Sequence, residues 1–313
     1  MPSSQLPTVA FIGTGVMGAP MAGHLLDAGY PLVVFNRTRS RAESLIERGA
    51  RWAESAGEAA SQADVVITMV GYPADVEDVY LGENGIIERA RDGAVLVDMT
   101  TSSPELAARI AEAAEWAELA ALDAPVSGGD IGAKNATLTI MVGGEEVAFA
   151  RVEPLLRVMG ANVVLQGGAG AGQNTKMANQ IAIAGSMLAT VESIAYAQRA
   201  GLDPRRVLDS IGAGSAASWS LANLAPRILD GNFAPGFFVK HFVKDMRIAV
   251  TSAEAMGLDL PGLATAKRLY EYLETNGGAA LGTQGLWLLY ADEDTRVAAG
   301  VAPAATTRAA REV

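Results

Sequence analysis

Short apolar runs alternate with segments of helical periodicity through the first half of the chain. Runs rich in β-branched residues predict buried strands at 8–12, 31–35, 63–69, 94–99, 119–124 and 138–142. Between two of these runs, 105–118 has a helical pattern. It follows Ser103 and Pro104, an N-cap residue with proline at the first helical position. Strands that alternate with helices predict a doubly wound parallel sheet of the α/β class.

From about Gly172 the pattern becomes wholly helical. Helices are predicted at 174–200, 203–211, 220–230, 241–255 and 260–275, separated by glycines or prolines. The segment 181–191 is apolar nearly all round, which is typical of a buried helix. We therefore expect an α/β domain over 1–166 and an all-α domain over 167–296 that begins with a long connecting helix. The stretch 297–313 lacks apolar periodicity and is predicted to be a mobile tail.

A glycine-rich motif lies between the first predicted strand and the first predicted helix. Gly13-Thr14-Gly15-Val16-Met17-Gly18 has the spacing GxGxxG. Gly13 permits a tight turn, Gly15 lets a pyrophosphate approach the backbone, and Gly18 lets the helix pack against the strand. The free N–H groups of the helix N-terminus would then face the phosphates. The position of the motif predicts a Rossmann-type dinucleotide site; the alternative is a glycine turn that binds nothing.

The residues after the second predicted strand bear on which dinucleotide binds. An NAD site usually has an Asp or Glu here to accept from the ribose hydroxyl, but this chain has Asn36 followed by Arg37, Thr38 and Arg39. Arginine makes charge-assisted bonds to phosphate, so these residues favour the 2′-phosphate of NADP(H). NAD(H) stays possible, and a solvated basic loop is the alternative.

A lysine stands alone in a long uncharged segment. Lys176 is the only charged residue between Arg157 and Glu192, and lysine is rarely buried without a partner. Asn179 and Gln180 follow three and four positions later, on the same face of the predicted helix. This grouping suits a small polar ligand. The alternative is a lysine whose stem is buried while its amine reaches water.

Loops that follow the strands of a doubly wound sheet collect at its carboxyl edge, where ligands bind. One of them, Ser127-Gly128-Gly129, could hold a carboxylate because successive backbone N–H groups in a glycine-rich turn form an anion-binding nest. The alternative is an ordinary turn between strands. In the predicted helical domain, Trp219, Phe237, Phe238 and His241 could close a cleft over the ligand, although packing in the core is the commoner role of aromatic residues.

Composition narrows the classes of partner. With 24 Lys and Arg against 35 Asp and Glu, the net charge is −11 and no basic stripe is present, which argues against nucleic acid and anionic membranes. The chain has no cysteine and two distant histidines, so we expect no disulfide and no metal site. No pattern of a signal peptide or membrane span is found, and a cytoplasmic location is expected.

The motifs together resemble the β-hydroxyacid dehydrogenase family, which includes 3-hydroxyisobutyrate dehydrogenase, tartronate semialdehyde reductase and glyoxylate/succinic semialdehyde reductases. The segments that carry the resemblance are 13–18, 36–38, 98–104, 123–129 and 170–180. The resemblance covers about residues 8 to 295. One conservative departure is Thr100, where the family usually has serine.

The resemblance implies a role for each matching residue. It makes Lys176 the catalytic acid/base, places Asn179 and Gln180 in the same site, and assigns the substrate carboxylate to Ser127, Gly128 and Gly129. It also implies that Met69, Val70, Thr101 and, from the second domain, Lys244 approach the cofactor.

The expected activity is therefore hydride transfer with NADP(H) between a short-chain 3-hydroxy or 2-hydroxy acid and its semialdehyde or oxo acid. The expected partner is a small carboxylate. The apolar helices of the second domain suggest a homodimer or homotetramer. Two alternatives stay open. An imine reductase on the same scaffold would usually lack the lysine, and a non-catalytic NADP-binding sensor would most simply show a degraded site.

Overall fold

A computed structural model describes residues 6–302, and their contacts divide the chain into two compact units, with the division between Lys176 and Met177. Strands and helices alternate in the first unit. Its strands are β1 Val9–Ile12, β2 Leu32–Phe35, β3 Arg51–Trp52, β4 Val65–Thr68, β5 Val95–Asp98, β6 Ala120–Asp123, β7 Val126–Ser127, β8 Leu138–Gly143 and β9 Gly160–Gly167. Its helices are α1 Gly18–Asp27, α2 Glu43–Glu47, α3 Ala56–Ala60, α4 Pro73–Leu81, α5 Ile86–Arg89, α6 Pro104–Trp116, α7 Gly129–Lys134 and α8 Glu146–Leu156.

These strands form one sheet in the order β3-β2-β1-β4-β5-β6-β8-β7, with β9 paired to β8. The pairs from β3 through β6 are parallel, whereas β8 runs antiparallel to β6 and β7. The predicted doubly wound fold is confirmed, and its far edge is mixed. The sequence pattern missed β3 and β7, which have two residues each, and β9, which lies at an edge with few buried side chains.

The central strands are apolar throughout because both faces of the sheet are covered. In β1, Val9 and Phe11 belong to one hydrophobic core while Ala10 and Ile12 belong to another. The predicted start of α6 is also present, since the Ser103 hydroxyl accepts a hydrogen bond from the Leu106 amide at 3.1 Å. Continuous apolar runs and a sharp helix start were therefore reliable signals here.

The long helix α9, Ala171–Arg199, begins in the first unit and continues into the second. Along it, Ala184, Met187 and Val191 are buried, but Ala182 and Ala189 are exposed. The expectation that 181–191 is buried all round is therefore wrong for this chain. Small neutral residues lie on the outer face. They resemble core residues in sequence, although no side chain of residues 6–302 covers them.

The second unit is helical, as predicted. Its elements are α10 Pro204–Gly212, α11 Trp219–Asn223, α12 Ala225–Leu229, α13 Val239–Ala255, α14 Pro261–Thr275 and α15 Glu293–Ala298, with 3-10 turns at Gly278–Ala280 and Thr283–Leu289. The single helix expected at 220–230 is two helices, because Pro226 has no N–H to continue the first one. In the core, the Phe242 and Tyr270 rings meet edge to face at 5.0 Å, and the Tyr270 hydroxyl donates to the Thr283 carbonyl at 2.8 Å.

The helical unit extends past the predicted boundary at 296. Helix α15 ends at Ala298, Val301 is buried in the core, and the Ala302 amide donates to the Asn276 carbonyl at 2.8 Å. Residues 297–302 therefore pack with this unit instead of beginning a mobile tail, while 303–313 lie outside the described residues. Over residues 6–302, we find no helix with the length and apolar character needed to cross a membrane.

Candidate active site

The predicted cofactor and carboxylate loops follow neighbouring strands at one edge of the sheet. The backbone ladder continues just beyond the strands: Gly13 N donates to Phe35 O, Met69 N to Ile12 O, Met99 N to Thr68 O and Ala124 N to Asp98 O, at 2.7–2.9 Å. These bonds place the loops that contain 13–18, 36–38, 69–70, 100–103 and 127–129 side by side. The expectation from parallel topology is therefore met within the first unit.

Each glycine of the GxGxxG motif has a distinct environment. A Cβ at Gly13 would overlap the Met69 carbonyl, and one at Gly18 would overlap the Gly13 carbonyl. At Gly15 no atom of residues 6–302 comes within 4 Å of that position. The protein's own packing thus explains the first and third glycines, while the open space over Gly15 fits the close approach of a pyrophosphate.

Two other residues of this loop also suit a ligand. The Thr14 hydroxyl is buried and finds no hydrogen-bond partner among residues 6–302. Val16 is 60% exposed, and Met17 immediately precedes helix α1. A buried hydroxyl without a partner is costly unless something else satisfies it, so the cradle fits a polar group that the chain does not supply.

Asn36 supports the glycine-rich loop. Its side-chain oxygen accepts from the Thr14 amide at 3.1 Å, and its side-chain nitrogen donates to the Thr38 carbonyl at 2.9 Å. The asparagine that replaces the usual acid thus ties the end of β2 to the loop after β1. Arg37, expected to face a 2′-phosphate, instead forms an ion pair with Asp75, with Arg37 Nη1 2.9 Å from Asp75 Oδ1.

A buried network clamps the loops after β4 and β5 together. Asp98 Oδ1 accepts from the Thr68 hydroxyl at 2.7 Å and from the Thr100 amide at 3.0 Å. The Thr100 hydroxyl in turn accepts from the Val70 amide at 3.0 Å. The family's usual serine carries the same hydroxyl, so the departure at Thr100 keeps this bond. The network fixes the backbone of Val70, one of the residues implied in cofactor binding.

Burial changes the protonation of this network. Burial raises the pKa of Asp98 to about 6, against the opposing effect of its hydrogen bonds from Thr68 and Thr100. The Tyr80 hydroxyl lies 3.0 Å from the Thr68 hydroxyl, and burial together with the Asp98 charge raises the pKa of Tyr80. Desolvation therefore exceeds hydrogen bonding at Asp98.

A second buried carboxylate fixes the start of α9. Asp123 Oδ1 accepts from the Gly170 amide and Asp123 Oδ2 from the Gln173 amide, both at 2.7 Å. The Gln173 side chain then accepts from the Ser102 amide at 3.0 Å and donates to the Thr100 carbonyl at 2.7 Å. These bonds attach the first turn of α9 to the ends of β5 and β6. Lys176 lies on the next turn and is only 6% exposed.

The predicted carboxylate loop is held by neighbouring elements of the first unit. Ser127 belongs to β7 and pairs with Thr139 of β8. Gly128 and Gly129 have φ of 131° and 61°, a conformation that favours glycine. Because α7 starts at Gly129, its backbone amides follow this turn directly. The turn therefore leads from a strand into a helix, whereas the alternative was an ordinary turn between two strands.

In the second unit, an aspartate joins three of the predicted site residues. Asn179 Nδ2 donates to Gln180 Oε1 at 2.7 Å, and Gln180 Nε2 donates to Asp245 Oδ2 at 2.6 Å. The other Asp245 oxygen lies 3.0 Å from Lys244 Nζ, and both side chains of this ion pair are largely buried. Asp245 was not singled out from the sequence, although it determines how Gln180 and Lys244 are held.

The predicted aromatic residues differ in their surroundings. Trp219 lies in the first turn of α11 and is 70% exposed, so within this chain it is not a core residue. Phe238 precedes α13, is half-buried, and contacts the His241 ring edge to face at 5.9 Å. Burial, with smaller effects of Lys244 and Lys240, lowers the pKa of His241.

Sequence reasoning assigned no role to several polar residues that hold these loops. They are Asp75, Asp98, Asp123, Gln173 and Asp245. A signal existed for two of them, because Asp98 and Asp123 each end a buried apolar strand. No three His, Asp or Glu side chains converge as metal ligands within 6–302.

Comparison with known families identifies the two units. Residues 8–168 match the NAD binding domain of 6-phosphogluconate dehydrogenase, and residues 170–290 match the model described as the NAD-binding domain of NADP-dependent 3-hydroxyisobutyrate dehydrogenase. The chain belongs to the β-hydroxyacid dehydrogenase family. It is therefore an NAD(P)-dependent oxidoreductase of the hydroxyacid dehydrogenase type.

Individual relatives support this assignment. The chain is 57% identical over 283 residues to "Uncharacterized oxidoreductase YkwC" of Bacillus subtilis, covering 90% of this chain and 98% of that protein. It is 50% identical over 281 residues to "Probable 3-hydroxyisobutyrate dehydrogenase-like 1, mitochondrial" of Arabidopsis thaliana, covering 90% and 84%. A solved Mycobacterium tuberculosis 3-hydroxyisobutyrate dehydrogenase with L-serine superimposes with a TM-score of 0.86 at 31% identity, covering 92% and 100%.

We predict that Asp98→Asn alters the pH dependence of stability. Because burial raises the pKa of Asp98 from 3.8 to about 6, its ionisation opposes folding increasingly as pH rises from about 4 to 6. The asparagine variant lacks this ionisation. Its free energy of unfolding, relative to the unchanged protein, should therefore increase by up to about 3 kcal/mol between pH 4 and pH 7.

Urea unfolding followed by circular dichroism across this pH range measures the difference. Asp92→Asn, at an exposed position of the same unit, is the matched control and should differ little from the unchanged protein at any pH. A difference for Asp98→Asn that does not vary with pH would contradict the role of Asp98 ionisation.

Proposed function

We propose that this protein interconverts a short-chain 3-hydroxy acid and its semialdehyde by hydride transfer with NADP(H), with Lys176 as the general acid/base. The observation that carries the proposal is the buried Lys176 on a helix whose first turn is capped by Asp123. That cap belongs to the same sheet edge as the GxGxxG loop. An amine that is shielded from water and held at the sheet edge that carries the dinucleotide loop suits proton transfer to a carbonyl oxygen.

The residues of the first unit would hold the cofactor, which supplies the hydride acceptor or donor when bound. The loop of Gly13, Thr14, Gly15, Val16, Met17 and Gly18 would receive the pyrophosphate. The backbone at Met69 and Val70 and the side chain of Thr101 would border the dinucleotide, and Lys244 is proposed as a further residue of the cofactor site. Asn36 would keep the loop in place, and Arg37 with Thr38 would bind the 2′-phosphate of NADP(H).

Proton transfer and substrate orientation are assigned to different residues. Lys176 would donate a proton to the developing alkoxide during reduction and take it back during oxidation, and its positive charge would stabilise that oxygen. Ser127, Gly128 and Gly129 would hold the substrate carboxylate, because hydroxyl and amide donors there can converge on an anion. Asn179, Gln180, Phe238 and Trp219 are proposed to complete the substrate site.

A 3-hydroxy acid is favoured by the relatives. Two of them carry 3-hydroxyisobutyrate dehydrogenase in their names, and one of these was solved with L-serine, itself a 3-hydroxy acid. The cytoplasmic location and the homodimer or homotetramer expected from the sequence stay predictions. The direct test measures NADPH or NADH consumption against short semialdehydes and 2-oxo acids, with a cyclic imine added. Turnover of the imine alone would favour imine reduction, and binding without turnover would favour a sensor.

We predict that Lys176→Ala lowers kcat by about a hundredfold or more, since it removes the proton donor. The Kd for NADPH should stay within about threefold, because the residues proposed to bind the nucleotide are unchanged. Lys176→Arg keeps the positive charge but cannot release a proton near neutral pH, so its kcat should also stay low.

The matched control is Lys267→Ala, which removes a lysine from the surface pair with Glu271 on α14. Stopped-flow turnover and isothermal titration of NADPH separate chemistry from binding. Near-native kcat in Lys176→Ala would refute the assignment of the acid/base.

We predict that Arg37→Ala weakens NADPH binding by about tenfold or more while NADH binding changes by less than about threefold. Only NADPH carries the 2′-phosphate, and an arginine–phosphate bond is charge-assisted. Titration calorimetry with both nucleotides measures the two Kd values. Arg41→Ala, in the 3-10 turn Arg39–Arg41, removes an exposed arginine of the same segment and serves as the control. Equal losses for NADPH and NADH would contradict the preference for NADP(H).

A further inference from the structure

Arg37 is paired with a carboxylate of its own chain. Its guanidinium Nη1 lies 2.9 Å from Asp75 Oδ1 near the start of α4. This contact links the segment after β2 with the first turn of α4, and both border the proposed nucleotide site. The arginine proposed for the 2′-phosphate thus already has an anionic partner, which we term the Arg37–Asp75 pair.

The two members of the pair differ in exposure and in how firmly they are held. Asp75 is fixed, because its second oxygen accepts from the Tyr72 amide at 3.0 Å and caps the start of α4. Its side chain is 21% exposed, whereas that of Arg37 is 82% exposed. A ligand anion would therefore meet an anchored carboxylate beside an exposed guanidinium. To bind the anion, the Arg37 side chain would have to leave Asp75.

The neighbouring arginine has different partners. The Arg39 guanidinium lies 5.0 Å from the centre of the Trp52 ring, and Arg39 Nη1 is 3.7 Å from a Glu54 oxygen. These contacts draw it towards β3, away from the pair formed by Arg37. We therefore expect discrimination between NADP(H) and NAD(H) to depend chiefly on Arg37 and on the carboxylate of Asp75 that is paired with it.

We propose that Asp75 determines how strongly the protein prefers NADP(H) over NAD(H), by competing with the 2′-phosphate for Arg37. This inference rests on the proposed dinucleotide function. The 2′-phosphate carries a charge of about −1.5 to −2, which the fixed carboxylate repels while it also neutralises the arginine. At a separation of about 7 Å in water at physiological salt, such repulsion amounts to about a twofold loss of affinity. The need to break the ion pair with Arg37 raises the combined loss to about three- to tenfold. NAD(H) has no 2′-phosphate and should be indifferent to Asp75.

The test replaces Asp75 by asparagine in the full-length protein. Asparagine keeps an oxygen that can accept from Tyr72 but removes the charge. We expect the Kd for NADPH to fall about three- to tenfold, the Kd for NADH to change by less than twofold, and the effect to shrink at high salt. The control is Asp78→Asn, which removes a charge from an exposed position of the same helix and should leave both Kd values unchanged.

A double-mutant cycle shows whether Asp75 acts through Arg37. In an Arg37→Ala background the change Asp75→Asn should strengthen NADPH binding by about twofold or less, because the repulsion by Asp75 remains but no arginine is left to be released. Asp75→Ser provides a second charge-removing variant if the asparagine protein does not fold. Titration calorimetry gives all Kd values without relying on turnover.

Each outcome separates the inference from the function on which it rests. A weaker or unchanged preference for NADPH over NADH in Asp75→Asn, with both nucleotides still bound by the unchanged protein, would overturn the inference alone. An equal gain for NADPH and NADH would do the same. Failure of the unchanged protein to bind either nucleotide would overturn the proposed function as well.

Discussion

The arrangement of the candidate site depends on the carboxylate of Asp123. It stands at the end of β6 and accepts from the amides of Gly170, just before α9, and Gln173, in its first turn. This compensates the dipole of a 29-residue helix at its positive end. Burial raises the pKa of Asp123, and its amide bonds oppose that effect. Without this anchor, the start of α9 would keep the bonds of the Gln173 side chain but lose both bonds to the end of β6, and the position of Lys176 at this edge of the sheet would be less well defined.

Much of this arrangement could be predicted from the sequence, because its signals are local. Continuous apolar runs marked the central strands, and a glycine spacing placed between a strand and a helix marked the nucleotide loop. Lys176 was found because a charge in a neutral segment is conspicuous, and the structure shows that it is buried. Composition and spacing are sufficient when a feature is formed by residues close together in the chain.

The remaining features could not be predicted, because their partners are distant in sequence. Asp75 lies 38 positions from Arg37 and Asp245 lies 65 from Gln180, and no local pattern indicates which acid meets which polar group. The exposed face of α9 over 181–191 could not be predicted either, because its outward-facing residues include alanines and no charged residue marks that surface. A motif therefore predicted where the loops of the candidate site lie better than it predicted the residues that support them.

The two glycines of α9 illustrate how closely its first turn contacts the sheet. Helix propensity favours alanine over glycine by about 1 kcal/mol, so propensity alone predicts that alanine at either position would stabilise the protein. At Gly185 nothing in the described chain comes within 4 Å of an added methyl group, but at Gly172 that group would overlap the Met141 carbonyl and lie 2.6 Å from the Asp123 carbonyl. Thermostabilisation by helical alanines would succeed at one site and dislodge the cap at the other.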